Sequence, residues 1–309
     1  MADTWKRATH RPCPPKANSL APTTVETPEV CIARIGSLQT IDIEDGDSKV
    51  TIAPARGGMV TRFVARGRDI LYLDEATLGD PTANVRGGIP ILFPSPGKLT
   101  QDAFSREGKS GRMKQHGFAR NGAWMVTERT ARSAGLRLVS SDETRALYPW
   151  DFQFDLHYSL SGSSLRLDLS ITNQSPTPMP FGAGFHPYFR IDESDKAGAR
   201  IPTQATRAFD NRSRTEISVT GIDLAQPEVD LHLHDHARDS LVLEDGTKRI
   251  IVRGSAEFTH WVIWTLEKRA FVCLEPWSCP GNALNTGECL LELAEGETAA
   301  MWVTIDCAA

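Results

Sequence analysis

Several features that would tie a chain to a metal, a membrane or a polyanion are scarce here. The six cysteines among 309 residues, Cys13, Cys31, Cys273, Cys279, Cys289 and Cys307, are scattered, and none of their spacings makes the CxxC pair of a zinc ribbon. Secreted disulfide scaffolds are short and cysteine-dense, so reduced thiols are expected. No stretch approaches the roughly 20 apolar residues of a membrane span. Lys6, Arg7, Arg11 and Lys16 are not followed by the apolar segment of a signal peptide, and the cytoplasm is the expected compartment. A net charge of only −5 argues against charge-driven binding to nucleic acid or to an anionic membrane. The expected partner is a small molecule, and the expected state a monomer or weak dimer.

Long amphipathic helical stretches and regular strand–helix alternation are also missing, which disfavours a parallel α/β fold. What is present is period-two alternation, the pattern of half-buried strands. It runs through Thr40-Ile41-Asp42-Ile43-Glu44, Phe152 to Tyr158, Leu165 to Ile171 and Met301 to Ile305. Ser161-Gly162-Ser163-Ser164 between the second and third has the composition of a hairpin turn. With 40% apolar and 24% charged residues the chain can bury a sizeable core. The expectation is an all-β protein, a large antiparallel sandwich over residues 31–309. Pro12, Pro14, Pro15, Pro22 and Pro28 mark residues 1–30 as a flexible tail.

Three titratable residues stand out. His116 lies in Gln115-His116-Gly117-Phe118-Ala119-Arg120, His186 in Gly184-Phe185-His186-Pro187-Tyr188-Phe189, and Glu275 closes the apolar run Ala270 to Leu274. Two imidazoles and a carboxylate supply what proton transfer on a neutral substrate requires near pH 7. A carboxylate ending a buried strand is costly unless paired or used, and desolvation makes it a better base. Trp277, two residues on, falls on the same strand face as an aromatic wall. Taken singly, each histidine reads first as structural, His186 as a core residue satisfied by a carbonyl.

Other segments carry weaker signals. Arg86-Gly87-Gly88-Ile89-Pro90 is a loop passing close to something before a short buried strand, and it lacks the Gly-Lys-Ser/Thr of a phosphate loop. From Lys98 to Arg120 the chain is locally basic, which suits an anion or merely a solvated loop. His232, His234 and His236 alternate around Asp235. Their spacing fits no familiar metal motif, so a solvated, histidine-bearing edge strand is expected and no metal or cofactor.

Taken in order, Arg86 to Pro94 with Gly97-Lys98-Leu99, Gln115 to Arg120 with Asn121 and Trp124, His186-Pro187-Tyr188-Phe189, Glu275-Pro276-Trp277 and Asn282 to Glu288 resemble the aldose 1-epimerase, or galactose mutarotase-like, superfamily. The resemblance spans nearly everything from residue 35 onward. It implies a sandwich of two large twisted sheets with a sugar cleft on the concave face and a cofactor-free interconversion of α and β anomers. It assigns His116 to binding and polarising the ring oxygen, His186 to protonating it, and Glu275 to taking the proton of the anomeric hydroxyl. Arg86 and Arg120 match arginines that hold the phosphate in the hexose-6-phosphate branch, and Asp230 an acidic residue that orients sugar hydroxyls. The His-Pro-Tyr-Phe and Glu-Pro-Trp forms depart from that branch. The substrate implied is an aldohexose or its 6-phosphate; the alternative is a non-catalytic carbohydrate-binding or regulatory domain on the same fold.

Overall fold

A computed structural model describes residues 32–35, 38–246 and 248–308, so the expected tail lies outside the described residues. The fold is all-β, as its alternation implies. A seven-stranded antiparallel sheet has the order Ser240–Asp245, Lys248–Gly254, Thr298–Ala308, Ser164–Asn173, Phe152–Ser161, Ser133–Val139, Met125–Arg129. An eight-stranded sheet runs Thr215–Ser218, Arg207–Asp210, Glu228–Leu233, His260–Leu266, Phe271–Trp277, Gly184–Phe185, Ile91–Leu92, with Tyr188–Arg190 also paired to Phe271–Trp277. A five-stranded sheet covers Ile32–Ile35 to Arg68–Asp69. Among the described residues no helix is long and apolar enough to cross a membrane.

Alternation decides which face each strand buries. In Phe152–Ser161 the residues Phe152, Phe154, Leu156, Tyr158 and Leu160 are buried while their neighbours are half-buried or exposed. Ser164–Asn173 repeats the pattern, and the two strands pair in register from Phe152 with Asn173 to Ser161 with Ser164. Gly162 takes φ 54° in the two-residue turn, a conformation that glycine adopts without a Cβ penalty. Both large sheets feed one apolar core: Phe154, Leu169 and Val303 from the first meet Leu231, Ile263 and Leu274 from the second. Phe93 sits among Phe152, Phe154, Tyr148, Phe118 and Phe181 at centroid distances of 5.1–6.1 Å, with several edge-on contacts of the favoured kind.

The other face of the eight-stranded sheet is the one that matters for chemistry. Register aligns Asp230 with Trp264 and His232 with Val262, then Trp264 with Cys273, Val262 with Glu275 and His260 with Trp277. Because successive side chains point to opposite faces, Leu231, Trp261, Ile263, Val272 and Leu274 enter the core, while Asp230, His232, His260, Trp264, Glu275 and Trp277 floor a cleft. One expectation is corrected here. The strand with His232 is no solvated edge; Glu228–Leu233 lies between Arg207–Asp210 and His260–Leu266.

Candidate active site

The cleft holds about 1130 Å3. All seven residues singled out in the sequence line it: Arg86, His116, Arg120, His186, Asp230, Glu275 and Trp277. Glu275 lies within the strand Phe271–Trp277, buried along its whole length, so the strand continues past the apolar run that the carboxylate was read as ending. His186 occupies the link between Gly184–Phe185 and Tyr188–Arg190. Its backbone N–H donates to the carbonyl of Pro90 at 3.0 Å, and its ring stacks on Tyr188 at 4.6 Å, nearly parallel. His186 Nε2 then lies 3.4 Å from Glu275 Oε1. Among the described residues the buried Nδ1 has no hydrogen-bond partner, so His186 is not the carbonyl-bonded core histidine of the alternative reading.

Trp277 does more than wall the site. Its indole N–H donates to Glu275 Oε2 at 3.1 Å, which fixes the carboxyl with its other oxygen toward His186. Its ring meets His116 and His232 edge-on at 5.9 and 5.2 Å. The electrostatics follow from burial. Glu275 is driven well above the usual carboxylate value, first by desolvation and then by the negative charge of Asp230, with the Trp277 N–H and Arg120 opposing. His186 is driven well below the usual imidazole value by burial, then by His116, Arg120 and Arg86. Both directions favour the uncharged forms, the protonated carboxyl and the neutral imidazole.

His116 reaches the site by a local backbone device. It adopts φ 73° and Gly117 φ 69°, and a Cβ on Gly117 would fall 2.1 Å from the carbonyl oxygen of Phe93. The glycine therefore serves close backbone packing, with Phe118 and Ala119 N–H groups donating to that same carbonyl. His116 Nδ1 hydrogen-bonds the carbonyl of Pro96. Burial, then Arg120, pushes its pKa down to about 3. The glycines after Arg86 likewise serve packing: a Cβ on Gly87 would lie 2.5 Å from Leu73 Cα.

Both arginines line the cleft, where the charge of Arg86 opposes that of Arg120. Arg120 is buried and donates to the carbonyl of Val85 at 3.2 Å; the Arg86 guanidinium lies over the Trp264 ring at 5.5 Å. Among the described residues neither makes an ion pair with a carboxylate. Asp230 accepts from Asn211 Nδ2 at 2.8 Å and faces His232 Nε2 at 3.6 Å. The basic stretch divides: Lys98, Lys114 and Arg120 line the cleft, whereas Lys109 is held by Thr177 and the carbonyl of Pro149, and Arg112 by that of Gln101.

His232 and His234 line the cleft, but His236 bonds Thr203 Oγ1 and the carbonyl of Ser240 elsewhere. Among the described residues the group with metal-ligand spacing is His186, Cys273 and Glu275, with atoms within 4.8 Å of one another. Burial and Glu275 hold the Cys273 thiol well above its ordinary value, so a metal would have to displace a firmly held proton. Sequence reasoning passed over Trp264 and His260. The alternation of His260-Trp261-Val262-Ile263-Trp264 was the available signal, since it places both on the Glu275 face.

The chain is similar over much of its length to known proteins. The solved structure of the Slr1438 protein from Synechocystis sp. PCC 6803 superposes with a TM-score of 0.84 and 36% identity, covering 87% of this chain and 95% of that one. "Protein LacX, plasmid" of Lactococcus lactis subsp. lactis is 26% identical over 237 residues, 66% of this chain and 78% of the relative. A protein of Cenchrus ciliaris named "Putative glucose-6-phosphate 1-epimerase" is 25% identical over 250 residues, 71% and 72% of the two chains. The family model for aldose 1-epimerase matches residues 39–306, and the chain belongs to the aldose 1-epimerase family.

Proposed function

We propose that the protein interconverts the α and β anomers of an aldohexose or hexose 6-phosphate by acid–base ring opening. The observation that carries this reading is the buried His186–Glu275 pair, 3.4 Å apart on the floor of an open cleft. Ring opening needs a base at the anomeric hydroxyl and an acid at the ring oxygen, and a pair sharing one proton always holds one of each.

The Glu275 carboxylate takes the proton of O1–H. The C1–O5 bond breaks with its electron pair going to O5, which takes a proton from the His186 imidazolium, and C1 becomes an aldehyde. Rotation about C1–C2 exposes the other face, and closure returns both protons. Burial favours the proton on the carboxyl, the partition from which closure starts. Opening requires that proton on His186, and Arg120, together with the hydroxyl donors of an entering sugar, favours the ionised carboxylate. Asp230 holds sugar hydroxyls, Trp264 and Trp277 offer aromatic walls, and Arg86 and Arg120 meet a phosphate, for which paired guanidinium donors are suited.

Exchange NMR on freshly dissolved α-glucose and on its 6-phosphate tests the proposal. Acceleration of either is expected at catalytic protein concentrations. Sugar affinity by calorimetry with no acceleration of either would contradict it and leave the non-catalytic binding domain.

A further inference from the structure

We infer that His116 presents a hydrogen-bond acceptor to the cleft, not a donor, and so holds a hydroxyl of the sugar and leaves the ring oxygen to another group. This rests on the proposed sugar-binding role of the cleft, and it gives His116 a different task from the one its family resemblance implies.

The argument begins with Pro96. A backbone carbonyl only accepts hydrogen bonds, so the His116 Nδ1 bonded to it carries the hydrogen. A neutral imidazole with a protonated Nδ1 has a bare Nε2. Among the described residues no protein group bonds that Nε2, and the ring lines the cleft. The ring oxygen of a pyranose is an ether and also only accepts. Two acceptors facing each other lose their bonds to water and gain none, which disfavours the contact. A sugar hydroxyl, by contrast, donates to Nε2 directly.

Two other arrangements would restore a donor, and each is opposed. Turning the ring over would set a C–H against the Pro96 carbonyl, and the left-handed backbone at His116, anchored at Gly117 on Phe93, holds the ring where it is. A doubly protonated ring would add a cation to a buried position that faces Arg120, Arg86 and His186, with Asp230 as the countering charge. Other groups lining the cleft, His186 and the guanidinium of Arg120 among them, remain as donors for the ring oxygen.

Long-range 1H–15N spectra of the uniformly labelled full-length protein read the tautomer directly, with His116→Phe giving the assignment. The expected result is a protonated Nδ1 and a bare Nε2 at pH 6.5, with the Nε2 resonance moving when 1,5-anhydroglucitol, which cannot ring-open, is added. A hydrogen on Nε2, or an Nε2 that the sugar leaves unmoved, would overturn the inference. Because no turnover is involved, that outcome is separable from failure of the epimerase reading, which the exchange rates report. A second arm measures affinities of monodeoxy glucoses for wild type and His116→Phe. One deoxy sugar is expected to bind wild type about tenfold more weakly and the variant no worse than glucose does; equal losses in both proteins for every deoxy sugar would overturn the hydroxyl assignment.

Discussion

Glu275 and His186 are displaced from their ordinary titration ranges in opposite directions, and the sign of each shift sets a pH dependence. Protonation of His186 is deferred to lower pH and ionisation of Glu275 to higher pH, so the one-proton state of the pair spans the interval between them. The acid limb of kcat/KM, set by His186, is expected below pH 6.5, and the alkaline limb, set by Glu275, above the ordinary carboxylate range. An acid limb at 6.5, the ordinary imidazole value, would show that His186 is not desolvated in solution. Trp277 holds the carboxyl through its indole N–H, a bond that favours the ionised form. Trp277→Phe keeps the aromatic wall and removes the donor. A loss of about tenfold in kcat is expected, the size of one hydrogen bond to a charged group, with KM little changed and the alkaline limb moved higher. A change confined to KM would reduce Trp277 to a wall.

Two kinds of element build the site, and they differ in how far the sequence announces them. Long hairpins such as Phe152–Ser161 with Ser164–Asn173 are legible because a half-buried strand must alternate and a two-residue turn must tolerate positive φ. The two- and three-residue strands that carry His186, Gly184–Phe185 and Tyr188–Arg190, hold no such period. They are defined by pairing to Phe271–Trp277, some ninety residues away, a non-local choice. The same reason misplaced His232, whose strand is internal only because Arg207–Asp210 and His260–Leu266 flank it. The turn at His116 and Gly117 shows how little slack these short elements have. Gly117→Ala drives a Cβ toward the Phe93 carbonyl in a left-handed conformation, and a destabilisation of about 1–3 kcal/mol or more is expected. Thermal unfolding would detect it as a fall in Tm of a few degrees per kcal/mol; an unchanged Tm would mean that the turn is looser than described.

Across the whole molecule, one apolar core carries a sheet whose opposite face gathers residues from distant parts of the sequence. Composition and period led to the fold class, but no rule of spacing brings Arg86, His116, His186, Asp230 and Glu275 together. Their order along several family motifs did that, and the register of the eight-stranded sheet supplies the physical reason. The hydrogen-bonding state of His116 was not legible at all, because it depends on a carbonyl of Pro96 twenty residues away. The cleft's charge is likewise a property of the whole: Arg86 and Arg120 come from separate segments, and among the described residues neither pairs with a carboxylate. If they receive a phosphate, Arg86→Gln should raise KM for glucose 6-phosphate by about tenfold or more while leaving that for glucose nearly unchanged, and added salt should weaken the phosphorylated substrate selectively. Equal effects on both sugars would assign Arg86 to hydroxyl contacts.

The account stands on the acid–base pair, and anomer exchange by magnetisation-transfer NMR tests it most directly. With the accelerated sugar as substrate, Glu275→Gln and His186→Ala should each lower kcat about a hundredfold or more, the contribution of one positioned acid or base, while calorimetry shows sugar still bound. Exchange at the wild-type rate in either variant would contradict the account.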